Sequence, residues 1–129
     1  MPRPTYAMLA LRALWELLRY DVVHATRGFQ HVCLQLERQP VLPRRTLEPA
    51  ETQVCDAVSL ASCFYWKRVY CLQRSVVATR LLRKSGIPGH VVIGYRPSPF
   101  FSHAWVEVEG RVVNDSQGYR ERMHVLATF

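Results

Sequence analysis

The chain has 129 residues, 49% of them hydrophobic, which suits one domain with a core of its own and no need of disulfide or metal staples. Its formal charge is +7, from 17 Lys+Arg against 10 Asp+Glu, with Lys67 and Lys84 the only lysines; arginine forks fit phosphates and carboxylates, so nucleic acid and acidic proteins are partners to weigh. The four cysteines, Cys33, Cys55, Cys63 and Cys71, form no Cys-x-x-Cys pair and have no His at zinc-finger spacing, which argues against a structural zinc site.

Tyr6 to Arg19 reads as a helix whose apolar residues cover nearly its whole circumference. It is shorter than the about 20 apolar residues of a membrane span and is interrupted by Arg12 and Glu16. A buried helix is one reading, and an interfacial helix touching membrane or a partner protein is the other. The same charges, and the lack of a small-residue cleavage site, speak against a signal peptide. Free thiols in a reducing cytoplasm follow. Asp21 to Arg38 reads as a second helix, with Val22, Val23, Phe29, Val32, Cys33 and Leu36 available to the core. Pro40, Pro43 and Pro49 around Arg44-Arg45 make a linker, because proline removes amide donors and fixes the backbone. The linker divides an amino-terminal helical region, 1–49, from a region that carries chemistry, 50–129; both can pack as one domain.

Glu51 to Trp66 returns to helical spacing. Cys71 to Lys84 is the clearest helix: Arg83 and Lys84 suit its negative end, Gly86 can close it and Pro88 stops it. Gly89 to Tyr95, Ser102 to Val108 and Arg111 to Asp115 then read as strands, rich in Val, Ile, Tyr and Trp, and Met123 to Phe129 as a final short one. Pro97-Ser98-Pro99 forces a loop between the first two strands.

The order Cys71, helix, His103, strand, turn, strand, Asp115 is the informative feature. A thiol nucleophile needs a base to take its proton, and the base needs an acid to orient it. A helix amino terminus favours a thiolate, through unpaired amides and the dipole. The amide of Cys71 could also donate to an oxyanion. A hairpin with a three-residue loop, Val108-Glu109-Gly110, would pair Glu107 with Arg111 and His103 with Asp115. A two-residue turn would shift that register by one and weaken the geometry, and both turns remain open. Each member alone has a structural reading: Cys71 as a small hydrophobe, His103 as a satisfied strand residue, Asp115 as a turn cap. Trp105 reads as core or pocket wall. Arg74 and Ser75, about one turn beyond Cys71, orient the substrate or the nucleophile's loop, or fix the helix. His24 and His31 can share a helix face, but no third ligand accompanies them, and no metal is assigned.

These segments resemble the transglutaminase-like leader peptidases of lasso-peptide biosynthesis. The resemblance covers roughly residues 57 to 129. It rests on Cys71-Leu72-Gln73-Arg74-Ser75, on Leu81-Leu82-Arg83-Lys84-Ser85-Gly86-Ile87-Pro88, on Val92-Ile93-Gly94, and on His103-Ala104-Trp105-Val106-Glu107-Val108 with Val112-Val113-Asn114-Asp115. It implies an α+β, papain-like fold of the transglutaminase type, with amino-terminal helices followed by a catalytic helix on a small antiparallel sheet. It also implies that Cys71 attacks the leader–core peptide bond, His103 transfers protons and Asp115 orients His103, through a thioester and without a cofactor. The expected substrate is a ribosomally made precursor, often with Thr near the leader's end. The expected partners are a separate leader-recognition protein, since the chain looks like the split form of the family, and an ATP-dependent lasso cyclase. Two rival readings stand beside it. One is an acyltransferase on the same fold, joining a Gln side chain to an amine. The other is a non-catalytic basic binding module, although no RNA-binding signature or aromatic–basic interleaving supports nucleic acid.

Overall fold

The computed structural model describes residues 6–44, 49–114 and 118–129, with the side chain of Arg120 outside that description. The element order is α1 (Tyr6–Arg27), α2 (Phe29–Arg38), α3 (Glu51–Phe64), α4 (Cys71–Lys84), β1 (Gly89–Pro97), β2 (Phe100–Val108), β3 (Arg111–Val112), α5 (Gly118–Arg122) and β4 (His124–Thr128). The architecture is α+β: of four helices of at least ten residues, α4 packs on one antiparallel sheet of order β3-β2-β1-β4, and α1 and α3 pack on α4.

The first helix starts where expected but runs through Tyr20 and Asp21 to Arg27. Nothing at residues 19–21 breaks a helix, and Tyr20 is buried on its inner face. The break falls at Gly28, whose φ of +82° is a left-handed conformation that side chains with a Cβ rarely adopt. From there α2 departs with Val32 and Leu36 buried.

The described part of the linker is held to the end of α4. The Leu42 amide donates to the Arg83 carbonyl at 2.9 Å, and Arg44 donates to the Ser85 carbonyl at 2.9 Å. At the start of α3 the Gln53 side chain accepts from the Ala50 amide at 2.9 Å, one half of a capping box.

Helix α4 begins and ends where its local signals place it. Its carboxy-terminal turn is a Schellman motif: Ile87 N donates to Leu82 O at 2.9 Å and Gly86 N to Arg83 O at 3.1 Å, with Gly86 at φ +81°. Arg83 and Lys84 do more than face the negative end of the dipole. Arg83 is buried and donates to the carbonyls of Gly89 and Phe129, at 3.0 and 3.1 Å, and to that of Leu36. Lys84 reaches Glu16 of α1 at 2.8 Å.

The principal core lies where α4 meets α1, α3 and the inner face of β1 and β2; Leu17, Val58, Val77, Leu82, Val91 and Val106 are among its fully enclosed members. A second, smaller cluster on the other face of the sheet gathers Val92, Trp105, Val112 and Met123. Among the described residues no helix is long and apolar enough to cross a membrane.

Candidate active site

Cys71 is the first residue of α4 and is half-buried. Its position is fixed from both sides. Behind it, Gln73 is buried and donates to the Leu17 carbonyl of α1 at 3.0 Å. Ahead of it, the α3–α4 loop is tied to α1 through Asp21, which binds Lys67 at 2.8 Å and accepts from the Tyr65 hydroxyl. Burial alone would raise the Asp21 carboxyl, but hydrogen bonds from Lys67, Tyr65 and Gln73 outweigh it and hold the group below the usual range. Burial and the same bond to Asp21 push the Tyr65 phenol up to about 12. Tyr70, the residue before Cys71, and Trp66 are both exposed beside this loop.

Helix α4 packs on β2, the strand that carries His103. His103 is half-buried, and its ring lies 4.3 Å from that of Tyr119 and 6.3 Å from that of Trp105. Phe101 stacks on its other side at 6.0 Å. Residues 101, 103 and 105 share one face of the strand. Trp105 is fully buried, and its indole N–H donates to Glu107 at 2.8 Å. That indole lies over Gly94, where the sheet leaves room for it.

The hairpin register differs from the three-residue expectation. Val108 pairs with Arg111 and Glu107 with Val112, so the turn is the two residues Glu109 and Gly110, both at positive φ. Glu107 therefore does not face Arg111; it serves Trp105, while Arg111 pairs with Glu51 of α3 at 2.9 Å. The regular ladder ends at Val112, and Asp115 lies outside the described residues. The segment leading to it is anchored by Asn114, whose Oδ1 accepts from the Val106 amide at 2.8 Å and whose Nδ2 donates to Ser75 Oγ at 3.5 Å.

Ser75 is fully buried beneath this contact. Arg74 is half-buried and acts electrostatically on Cys55 of α3. Burial pushes the Cys55 thiol up to about 11, helped by Glu51 and Asp56 and opposed by Arg74. The Cys33 thiol is likewise raised, by burial and by Glu37. Both settings disfavour the reactive thiolate. His24 stacks on Tyr20 at 5.8 Å and His31 bonds Gln35 at 3.0 Å, so each is used within its own helix pair. Among the described residues no three His, Cys, Asp or Glu side chains gather into a metal site.

Tyr119 thus joins the site's surroundings without any motif to mark it, while Glu107 and Asn114, which lie inside the motif segments, take contacts that the spacing did not assign. Tyr119 sits in a five-residue helix with no amphipathic period to announce it.

A helix packed on a four-stranded antiparallel sheet agrees with a transglutaminase-like α+β fold. The chain belongs to the transglutaminase-like superfamily, whose family profile matches residues 14–128. Among curated proteins it is similar to the microcin J25-processing protein McjB of Escherichia coli, with 46% identity over 57 residues, 44% of this chain. That match spans 27% of the relative's length. No solved structure matches the chain significantly.

Proposed function

We propose that the chain is a cysteine peptidase that removes the leader from a ribosomally made lasso-peptide precursor. The observations behind this reading are Cys71 at the first residue of α4, the packing of α4 on β2, and His103 on that strand, on the face it shares with Trp105. The similarity to a protein named for processing microcin J25 supports the substrate class.

In this reading the Cys71 thiolate attacks the leader–core carbonyl, and the tetrahedral oxyanion takes a hydrogen bond from the Cys71 amide. The C–N bond breaks as His103 gives its proton to the departing core amine. The leader remains as a thioester on Cys71. Water then attacks, His103 takes its proton, and the leader leaves as a carboxylate. Asp115 holds the imidazole in the productive tautomer. A separate leader-recognition protein presents the leader, and an ATP-dependent cyclase uses the freed core amine.

The test is mass spectrometry of a lasso precursor incubated with the protein and a leader-recognition partner, with Cys71→Ala alongside. Leader and core fragments from the wild type only are expected. Equal cleavage by both proteins removes Cys71 as the nucleophile. A heavier covalent adduct in place of fragments replaces hydrolysis with acyl transfer to an amine. Full-rate cleavage without the partner removes the recognition protein from the scheme.

A further inference from the structure

Helix α1 carries two apolar stripes, and the fold uses only one. Leu9, Ala13, Leu17 and Tyr20 face the core. Met8, Leu11, Trp15, Leu18 and Val22 face outward, at 46, 64, 64, 45 and 53% exposure. Their spacing of three, four, three and four residues is that of a coiled-coil seam, in which alternate residues enter holes on a facing helix. A helix paired on one side only has no physical need of such a seam on the other. Beside Trp15 the surface is concave. A groove of about 260 Å³ opens between α1 and the end of α4, lined by Arg12, Trp15, Leu81 and the Glu16–Lys84 pair among others.

We propose that this stripe and groove dock an amphipathic helix of a partner protein, with apolar seam residues and acidic flanks. The charges select that occupant. Arg12 follows the seam residue Leu11 along α1, is exposed and lines the groove, where Lys84 is already paired with Glu16. A second copy would bring a formal charge of +7 against +7, and an antiparallel pairing through the seam would also set Arg12 against Arg19 of the other copy. A bilayer would favour a flat contact, whereas the groove beside Trp15 accepts a protruding side chain. The inference is independent of the peptidase reading, because the stripe lies on the outer face of α1, turned away from the core that holds α4.

The probe is a labelled synthetic helix of about four heptads, with Leu at the seam and Glu on both flanks, titrated into the full chain and read by fluorescence anisotropy. A second peptide carries Lys in place of Glu. The Glu peptide is expected to bind at least tenfold more tightly than the Lys peptide. Trp15→Glu and, separately, Leu11→Ala should each weaken it tenfold or more, with the far-ultraviolet circular dichroism unchanged because both side chains are exposed. Arg12→Glu should narrow the preference between the peptides. Equal affinity for the two peptides, or indifference to both Trp15→Glu and Leu11→Ala, overturns the proposal. So does sedimentation of the chain alone as a dimer that Trp15→Glu dissolves, which would make the occupant a second copy. Trp15-dependent binding to phosphatidylglycerol vesicles with no binding to either peptide would make it a membrane surface instead.

Discussion

Gly94→Ala is the smallest change that reaches the site through packing alone. A Cβ at this position would lie 2.5 Å from Trp105 Cη2 and 2.8 Å from Cζ3. Carbon atoms pack at about 3.5–4.0 Å, so the indole must retreat by about 1 Å. It has little room, because Trp105 is fully enclosed among Val92, Val112 and Met123. Overpacking of this kind costs about 1–3 kcal/mol. The retreat also pulls the indole N–H from Glu107, a bond of 2.8 Å worth about 0.5–1.5 kcal/mol. Together the loss is about 2–4 kcal/mol, or a fall in Tm of about 8–16 °C for a domain of this size. Urea denaturation with an unchanged m value reads it directly. The same substitution in a Trp105→Leu background removes the indole clash, leaves the His124 carbonyl at 3.2 Å, and should cost about 1 kcal/mol. Gly28→Ala meets nothing within 4 Å and pays only for its φ of +82°, about 1–2 kcal/mol, with no change in the near-ultraviolet signal of Trp105. An equal cost for Gly94→Ala in both backgrounds would refute the claim that the indole occupies the space above Gly94.

Glu16→Gln tests the buried charge cluster of Glu16, Arg80 and Lys84. Glu16 is 2% exposed, whereas Lys84 is 47% exposed, so the loss at neutral pH is about 2 kcal/mol, below that of a wholly buried pair. Burial raises the Glu16 carboxyl, but Arg80 and Lys84 outweigh it and hold the group below 4.5. The stabilisation is therefore full above the unfolded value and is lost as pH falls through the lowered folded value. Urea midpoints of wild type and variant should converge on acidification below 4.5; a widening gap would reverse the assigned sign. Asn114→Ala, which rests on the peptidase reading, leaves the buried Val106 amide without its acceptor, at about 1–3 kcal/mol. It also frees the segment that enters residue 115, so kcat for precursor cleavage should fall about tenfold or more while KM holds. Asn114→Asp keeps the acceptor and should recover most of that loss; a KM effect with kcat intact would make Asn114 a substrate contact instead.

How far the fold was legible depends on whether its determinants are local. Helix α4 was readable at both ends because Gly86 and Pro88 sit at the spacing a Schellman turn demands. The α1–α2 boundary was not. The polar run at residues 19–21 resembles a helix end, yet Asp21 is polar because it anchors the α3–α4 loop through Tyr65 and Lys67. The hairpin turn places Glu109 at φ +51°, which its side chain does not favour. The two-residue turn prevails because it puts Val112 into the cluster with Trp105 and Val92; a slip of one residue would turn Val112 to the opposite face. That gain exists only in three dimensions.

The candidate site divides along the same line. Cys71, His103 and Trp105 stand on elements whose period and caps are written locally. Tyr119, Glu107 and Asn114 matter through contacts the chain pattern does not display. The amino-terminal helix shows the principle most clearly. Its apolar residues surround the axis, so hydrophobicity alone cannot choose which stripe turns inward. Glu16 makes the choice. Its carboxylate needs cations once buried, and α4 supplies Arg80 and Lys84 at 2.8 Å each. Rotating α1 to bury Leu11 and Trp15 would take Glu16 away from both partners, leaving Arg80, at 13% exposure, without its carboxylate. The ion cluster thus fixes the rotation of α1, and the seam of Met8, Leu11, Trp15, Leu18 and Val22 is left facing outward by the same electrostatics that hold the helix in place.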